Sequence, residues 1–472
     1  MTCSTAGTGA LVLAAGKGTR MKSDHPKVLL PILDQPLLYY VLSALEPCRG
    51  TGRGKISSVS AVVGHKGEEV SAYLSGSWPS VIPLWQHEQL GTGHAVRIAR
   101  EWWSGFDNLM VLPGDVPHLQ SSTLEALLAD HAGSGADCTF LSFSAADPRG
   151  YGRVVRSGPA VSIVEDRDAT EEQKLISEVN SGIYIFTVSA LRPFIDRLDN
   201  ENAQGEYYLP DLVGLMVRDG RPVNSTIASR EAEFRGVNTP EHLWSSGESI
   251  RREIVEGHLS RGVRMMDPSS VWIGPAVTIE PDVSIDPFVQ IWGKTAIARG
   301  SHVGAFSILR NMTLSEGADV VSHAVLSDSR LERGSRAGPF IVLRDGAVLG
   351  EDALAGKFVE IKKSVLGKRS KAPHLTYLGD ASVGEDTNIG AGTITCNYDG
   401  QRKNPTTIGN RCFIGSDTML VAPVEIEDDA FTAAGSVISR TVPEGALGVA
   451  RAHQKNIDGW SSRRQKRESK EQ

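Results

Sequence analysis

Every sixth residue from 273 to 309 is aliphatic: Ile273, Ile279, Ile285, Ile291, Ile297, Val303 and Leu309. Four positions after the first six of these stand Val277, Val283, Val289, Thr295, Ser301 and Ser307, all small or β-branched. Neither the 3.6-residue period of a helix nor the two-residue period of a strand produces a step of six. A hexapeptide parallel β-helix does. Each hexad is one short strand and a corner, three close a triangular coil, and the aliphatic residue points into the prism. The pattern returns with Val383, Ile389, Ile408, Ile414, Leu420, Ile426, Thr432 and Ile438. Thr387, Thr393, Cys412, Thr418, Val424, Ala430 and Ser436 are the matching small partners. Between the two runs the spacing reads as irregular. Residues 395–407, TCNYDGQRKNPTT, break the phase and must loop out of the prism. A prism by itself is a scaffold, so any chemistry must come from the residues that interrupt it.

The chain of 472 residues is too long for one core. Its first half shows no hexads. Residues 10–15 read as a buried strand that breaks into Gly16-Lys17-Gly18-Thr19-Arg20, with Lys27 following. Glycines permit close backbone approach, and the three cations Lys17, Arg20 and Lys27 would face an anion. The loop is neither a Walker A, lacking Gly-Lys-Ser/Thr, nor a G-x-G-x-x-G fingerprint, whose third glycine is absent. A phosphate seat and a plain strand-to-helix turn with surface cations both remain open at this point. Strands at 58–63, 82–85, 108–112 and 137–143 alternate with helices starting at Pro36 and spanning 92–102 and 123–131. That alternation predicts a mostly parallel, doubly wound Rossmann-like α/β sheet, with ligands at the carboxyl ends of its strands. Asp115 closes one such strand and suits Mg²⁺, a hard cation that takes few protein oxygens; a turn aspartate is the plainer alternative. A hairpin follows Gly150-Tyr151-Gly152-Arg153, and Glu165, Asn180 and Glu206 lie in later turns. A helix capped by Thr239 is expected to link the halves. The expected division is 1–238, a linker helix 239–262, a prism 263–458 and a charged, disordered tail 459–472.

A net charge of −7 and a pI near 6.0 give no case for nucleic acid or an anionic membrane as partner. The five cysteines are scattered without a C-x-x-C, which argues against a disulfide framework or zinc site and for a reducing cytoplasm. The N-terminus lacks a signal-peptide pattern, and no apolar run is long enough to span a membrane. A cytoplasmic protein is expected.

Residues 10–240 resemble the sugar-1-phosphate nucleotidyltransferases of the N-acetylglucosamine-1-phosphate uridyltransferase type. LAAGKGTRM, PKVL, QLGTGHA, GD, GYGR, EVNSGIY, NAQGEYYLPD and GVN stand in that family's order. The resemblance implies transfer of UMP from UTP to a sugar 1-phosphate. It makes Arg20 and Lys27 catalytic cations and Asp115 and Asn238 the Mg²⁺ ligands. It puts Leu13, Gly16, Lys27, Gln86, Gly91 and Thr92 around the nucleotide, and Gly152, Glu165, Asn180 and Asn238 around the amino sugar. Pro113 stands where the family has tyrosine.

Residues 264–460 resemble glucosamine-1-phosphate acetyltransferase domains, most closely through EIKKS, HLTYLGD and NIGAGTITCNYDG. This implies that His374 is the base that takes a proton from the sugar amine as it attacks acetyl-CoA. Arg344, Lys362, Tyr377 and Asn388 would hold glucosamine phosphate. Ala391, Asn397, Tyr398, Ser416, Ala434 and Arg451 would line the acetyl-CoA groove. A homotrimer is the family's usual assembly. Pro373 stands for an expected glycine, and Ala452-His453 for Val-Pro. Together the halves resemble the bifunctional uridyltransferase/acetyltransferase family. Two other readings stay open: a single nucleotidyltransferase with a regulatory prism, and a non-enzymatic assembly platform.

Overall fold

The computed structural model describes residues 7–52, 54–158 and 160–468, so Cys3 and the N-terminal stretch lie outside the described residues. The chain divides into two compact units at Ile250/Arg251, within the helix Pro240–Ser260. Thr239 caps that helix, its hydroxyl accepting the His242 N–H at 3.2 Å. Its C-terminal half belongs to the second unit. There Val255 joins the prism core, and the buried Arg251 donates to the Pro268 and Val271 carbonyls.

The first unit is built on one sheet. Its main path runs Val223–Ala228, Cys138–Ser144, Glu178–Thr187, Asn108–Pro113, Thr8–Leu13, Ile56–Val63, Val81–Trp85. The sheet is mostly parallel, as expected, and is mixed only where the strand Glu178–Thr187 runs antiparallel to both neighbours on the main path. The hairpin Arg153–Ser157/Ala160–Val164 leans on that strand. Apolar clusters on the two sides of the sheet, one around Val12, Leu42 and Leu112 and one around Leu11, Trp103 and Tyr184, account for its continuous aliphatic strands. The helix expected at Pro36 starts one residue later, because Pro31–Ile32 and Gln35–Pro36 first form a small hairpin.

The second unit is a left-handed parallel β-helix. Its three faces carry eleven, ten and nine stacked parallel strands. The inward aliphatics, from Ile273 to Ile438, form one continuous buried core; burying each contributes about 1.5–3 kcal/mol. The supposedly irregular middle is regular. Leu314, Leu331, Leu366 and Val383 each follow the preceding inward residue by five positions instead of six, always at the corner between the second and third faces. The loop that breaks phase before Ile408 leaves from that same corner.

A different corner, between the first and second faces, carries an external ladder. The rings of Phe288, Phe306, His323, Phe340 and Phe358 stack at 5.0, 5.1, 4.6 and 5.4 Å. All five residues sit at φ of 53–61°, a left-handed conformation costly for side-chain-bearing residues, which the repeated stacking offsets.

The tail does not match the expected disorder: Trp460–Glu468 is helical, and residues 469–472 lie outside the described set. Among the described residues no helix is long and apolar enough to cross a membrane.

Candidate functional sites

Two sites emerge, one in each unit. In the first, the carboxyl ends of Thr8–Leu13 and Asn108–Pro113 lie side by side, Leu13 paired with Pro113. The Gly114 N–H donates to the Leu13 carbonyl at 2.9 Å, and a Cβ on Gly114 would come equally close to that oxygen, so the crossing requires glycine. Pro113 is tolerated as the last residue of its strand, where the ladder ends. Asp115 follows immediately, and its carbonyl accepts the Val237 N–H at 3.0 Å, which brings Asn238 alongside. Lys27 completes the group. Its ammonium, 14% exposed, donates to the Asp115 carboxylate and, at 3.1 Å, to Asn238 Oδ1. A Cβ on Gly18, whose φ is 59°, would clash with Lys27 Cβ, so the glycine loop packs directly on this lysine. Gly16 and Arg20 are exposed beside it, and neither Lys17 nor Arg20 has an ion-pair partner among the described residues. Free cations at a glycine loop, next to one carboxylate and one amide oxygen, suit a polyphosphate.

Gln86 is buried (3% exposed), and its backbone carbonyl and the Ala15 methyl, just past the first strand, both approach Gly64. Gly91 has φ of 103°, and a Cβ there would meet the Tyr207 carbonyl at 2.6 Å; Thr92 Oγ1 accepts the Leu209 N–H at 3.1 Å. Further along the edge, a Cβ on Gly152 would stand 3.2 Å from Glu165 Oε1, and the Asn180 N–H donates to the Gly152 carbonyl at 2.9 Å. The Asn180 amide is pinned by the Tyr184 hydroxyl at 2.6 Å and the Gly182 N–H at 3.1 Å. Burial, reinforced by Asp211, Asp168 and Asp166, pushes the Glu165 carboxyl up to about 7.

In the second unit, His374 ends the strand Lys371–His374 at the corner that carries the aromatic ladder. The residues at the same corner position in the next three coils are Ala391, Ser416 and Ala434. They stack through the bonds Gly392 N–H to Leu375 O (2.9 Å), Asp417 N–H to Ala391 O (2.7 Å) and Gly435 N–H to Ser416 O (2.8 Å). Below His374 the corner is walled by large rings; above it the wall shrinks to Gly392, Asp417 and Gly435. The result is a groove of about 400 Å³ lined by His374, Asn388, Ala391, Phe413, Ser416 and Ala434. Pro373 is accommodated in that lining between the corner glycines 356 and 390.

Around the corner, Arg344, Lys362 and Tyr377 project from successive strands of the second face. Arg344 forks onto Glu360 Oε1 at 2.9 and 2.7 Å and reaches Asp345 at 3.0 Å; Lys362 is 3.8 Å from Asp345. Lys403, on the looped-out segment, presses against Lys362, and that contact holds its ammonium below the ordinary lysine range. The sequence reading missed Lys403, because its proximity to Lys362 comes only from coil stacking. Asn397 is tied to Asp380 at 2.7 Å on the same loop. Tyr398 (61% exposed) and Arg451, which lies past the last strand, are not brought into the His374 groove.

Among the described residues no group of three or more His, Cys, Asp or Glu is arranged to hold a metal. Cys48, Cys138, Cys396 and Cys412 are free thiols.

Residues 10–205 match the MobA-like NTP transferase domain, and residues 405–440 match the bacterial transferase hexapeptide, six repeats. Relatives described as bifunctional protein GlmU align along nearly the whole chain. That of Corynebacterium efficiens is 42% identical over 98% of this chain and 95% of its own length. That of Fervidobacterium nodosum is 45% identical, covering 96% and 97%. That of Streptomyces coelicolor is 41% identical, covering 96% and 94%. With a nucleotidyltransferase-type sheet and a hexapeptide prism in one chain, each carrying its own site, this protein belongs to the bifunctional GlmU family.

Proposed function

We infer that the protein makes UDP-N-acetylglucosamine in two steps. The prism transfers the acetyl group of acetyl-CoA to glucosamine 1-phosphate. The sheet domain then transfers UMP from UTP to N-acetylglucosamine 1-phosphate and releases pyrophosphate. The observation that carries the reading is the coexistence of two unrelated groups: Lys27–Asp115–Asn238 in one unit, and His374 at the foot of its groove in the other.

In the prism, His374 accepts a proton from the sugar amine, which must be neutral to attack the thioester carbonyl. Arg344, Lys362 and Lys403 hold the sugar phosphate; two facing lysines are a costly arrangement that a phosphate dianion relieves. Tyr377 and Asn388 orient the sugar, and the column of small residues above His374 leaves room for the acyl donor. Asn397, Tyr398 and Arg451 are assigned to that donor on the strength of the resemblance.

In the sheet domain, Arg20 and Lys27 neutralise the phosphates, and catalysis rests on in-line positioning and charge stabilisation. Asp115 and Asn238 already direct two oxygens at one cation, the Lys27 ammonium, and so fit Mg²⁺, which takes one or two protein oxygens and completes its shell with phosphate and water. When bound, the ion supplies positive charge against the triphosphate. A cytoplasmic homotrimer is the assembly we propose.

A purely regulatory prism is disfavoured, since a scaffold has no use for the cation cluster or the His374 groove. Incubating the protein with glucosamine 1-phosphate, acetyl-CoA, UTP and Mg²⁺, and leaving out each in turn, tests the reading. UDP-N-acetylglucosamine should appear only in the complete mixture. Supplying N-acetylglucosamine 1-phosphate should remove the need for acetyl-CoA and glucosamine 1-phosphate together, and leave the need for UTP and Mg²⁺. UDP-sugar formation that never requires acetyl-CoA would sink the two-step scheme.

A further inference from the structure

The Gln86 side chain is held on one side only. Its Nε2 donates to the Gly91 carbonyl at 3.1 Å and lies 3.0 Å from His94 Nδ1. A carbonyl can only accept, so the amide nitrogen faces Gly91, and the second N–H is then spent on His94. This requires a bare Nδ1 and places the imidazole proton on Nε2. His94 is kept in that neutral form: burial, then the Arg97 guanidinium on its own helix, lower its pKa, while a hydrogen bond to the Glu88 backbone and the Glu88 charge pull the other way. Tyr207 packs against the imidazole at 6.4 Å and carries Arg97 4.2 Å above its ring. With both N–H groups used, the only free function of Gln86 is Oε1, which has no partner among the described residues. Gln86 also borders the phosphate seat, because Gly64 is wedged between Ala15, which precedes the glycine loop, and the Gln86 carbonyl.

We propose that His94 is a positioning residue that locks the Gln86 carboxamide with its oxygen toward the nucleobase, so that the site selects a base bearing a ring N–H over one with a bare ring nitrogen. Among pyrimidine nucleotides that is uracil, whose N3–H donates to Oε1, against cytosine, whose N3 lone pair would face it. A site built to receive an N–H discriminates strongly against an analogue lacking one, since a buried acceptor is left unpaired. The inference rests on the uridylyl-transfer reading and names what enforces its base choice.

The test is the ratio of kcat/KM for UTP to that for CTP, measured on the full chain with N-acetylglucosamine 1-phosphate and Mg²⁺. In His94→Phe the amide is free to turn, and the ratio should fall about tenfold or more, chiefly through KM. His94→Asn restores an acceptor near the Nδ1 position and should keep the ratio within about twofold of wild type. In the unmutated protein, lowering the pH below the ordinary histidine range of about 6.5 puts a proton on Nδ1 and should lower the ratio reversibly. A ratio unchanged in His94→Phe, or lost equally in His94→Asn, overturns the proposal. So does a ratio in the unmutated protein that does not respond to acid. A wild-type protein that uses neither nucleotide refutes the uridylyl reading instead, and the two failures are therefore distinct.

Discussion

Lys27 carries no unusual sequence context, yet it gathers Asp115 and Asn238, residues 88 and 211 positions away, onto one charge. At the same scale Glu165 makes a pH-dependent contribution whose sign is fixed by its environment. Its carboxyl titrates near 7 in the folded chain, above the ordinary value of about 4.3. The folded state therefore binds more protons than the unfolded one between those limits, and stability declines as pH rises through them. Glu165→Gln should raise the thermal transition of the sheet domain at pH 8. The gain should shrink steadily and vanish near pH 4, measured by scanning calorimetry across that range. A gain that grew toward acid would mean that Glu165 is stabilised as the anion. The same substitution should weaken binding of the sugar phosphate, because an ionised Glu165 accepts from sugar hydroxyls and an amide does so less well.

Among the elements, the prism shows where sequence periodicity informs and where it fails. The runs 273–309 and 408–438 are legible because each coil there is built from full hexads with aliphatic or threonine inward residues. The middle was illegible for two physical reasons. Four of its hexads lose one residue at the same corner, which destroys phase, and three of its inward positions, Ala337, Ala355 and Ala372, are too small to mark a period. The mixed sheet hid one feature as well: nothing in the aliphatic strand Glu178–Thr187 signals that it runs antiparallel. The site in each half was legible as loop motifs, but Lys403 and His94 were not. Their roles depend on which side chain they meet in space. The loop after Ile394–Cys396 leaves at the corner where hexads already vary in length, so the prism does not depend on it. Trimming residues 398–404 restores a six-residue step between Thr395 and Ile408. The trimmed protein should keep the far-ultraviolet circular dichroism spectrum and thermal transition of the prism. It should lose acetyl transfer by about 100-fold or more, since Lys403 and Tyr398 go with the loop. Loss of the fold itself would show that the loop is structural.

In the whole molecule, two units divide at Ile250/Arg251, each with its own core and its own functional residues. Neither chemistry shares a side chain with the other. The two activities should therefore be separable by single substitutions within one folded chain. The most direct test measures both reactions on the same preparations of His374→Ala and Asp115→Asn. His374→Ala should lose acetyl transfer by about 100-fold or more and retain wild-type uridylyl transfer from N-acetylglucosamine 1-phosphate; Asp115→Asn should do the reverse. If either variant, still folded by calorimetry, lost both reactions together, the two-site account would be contradicted.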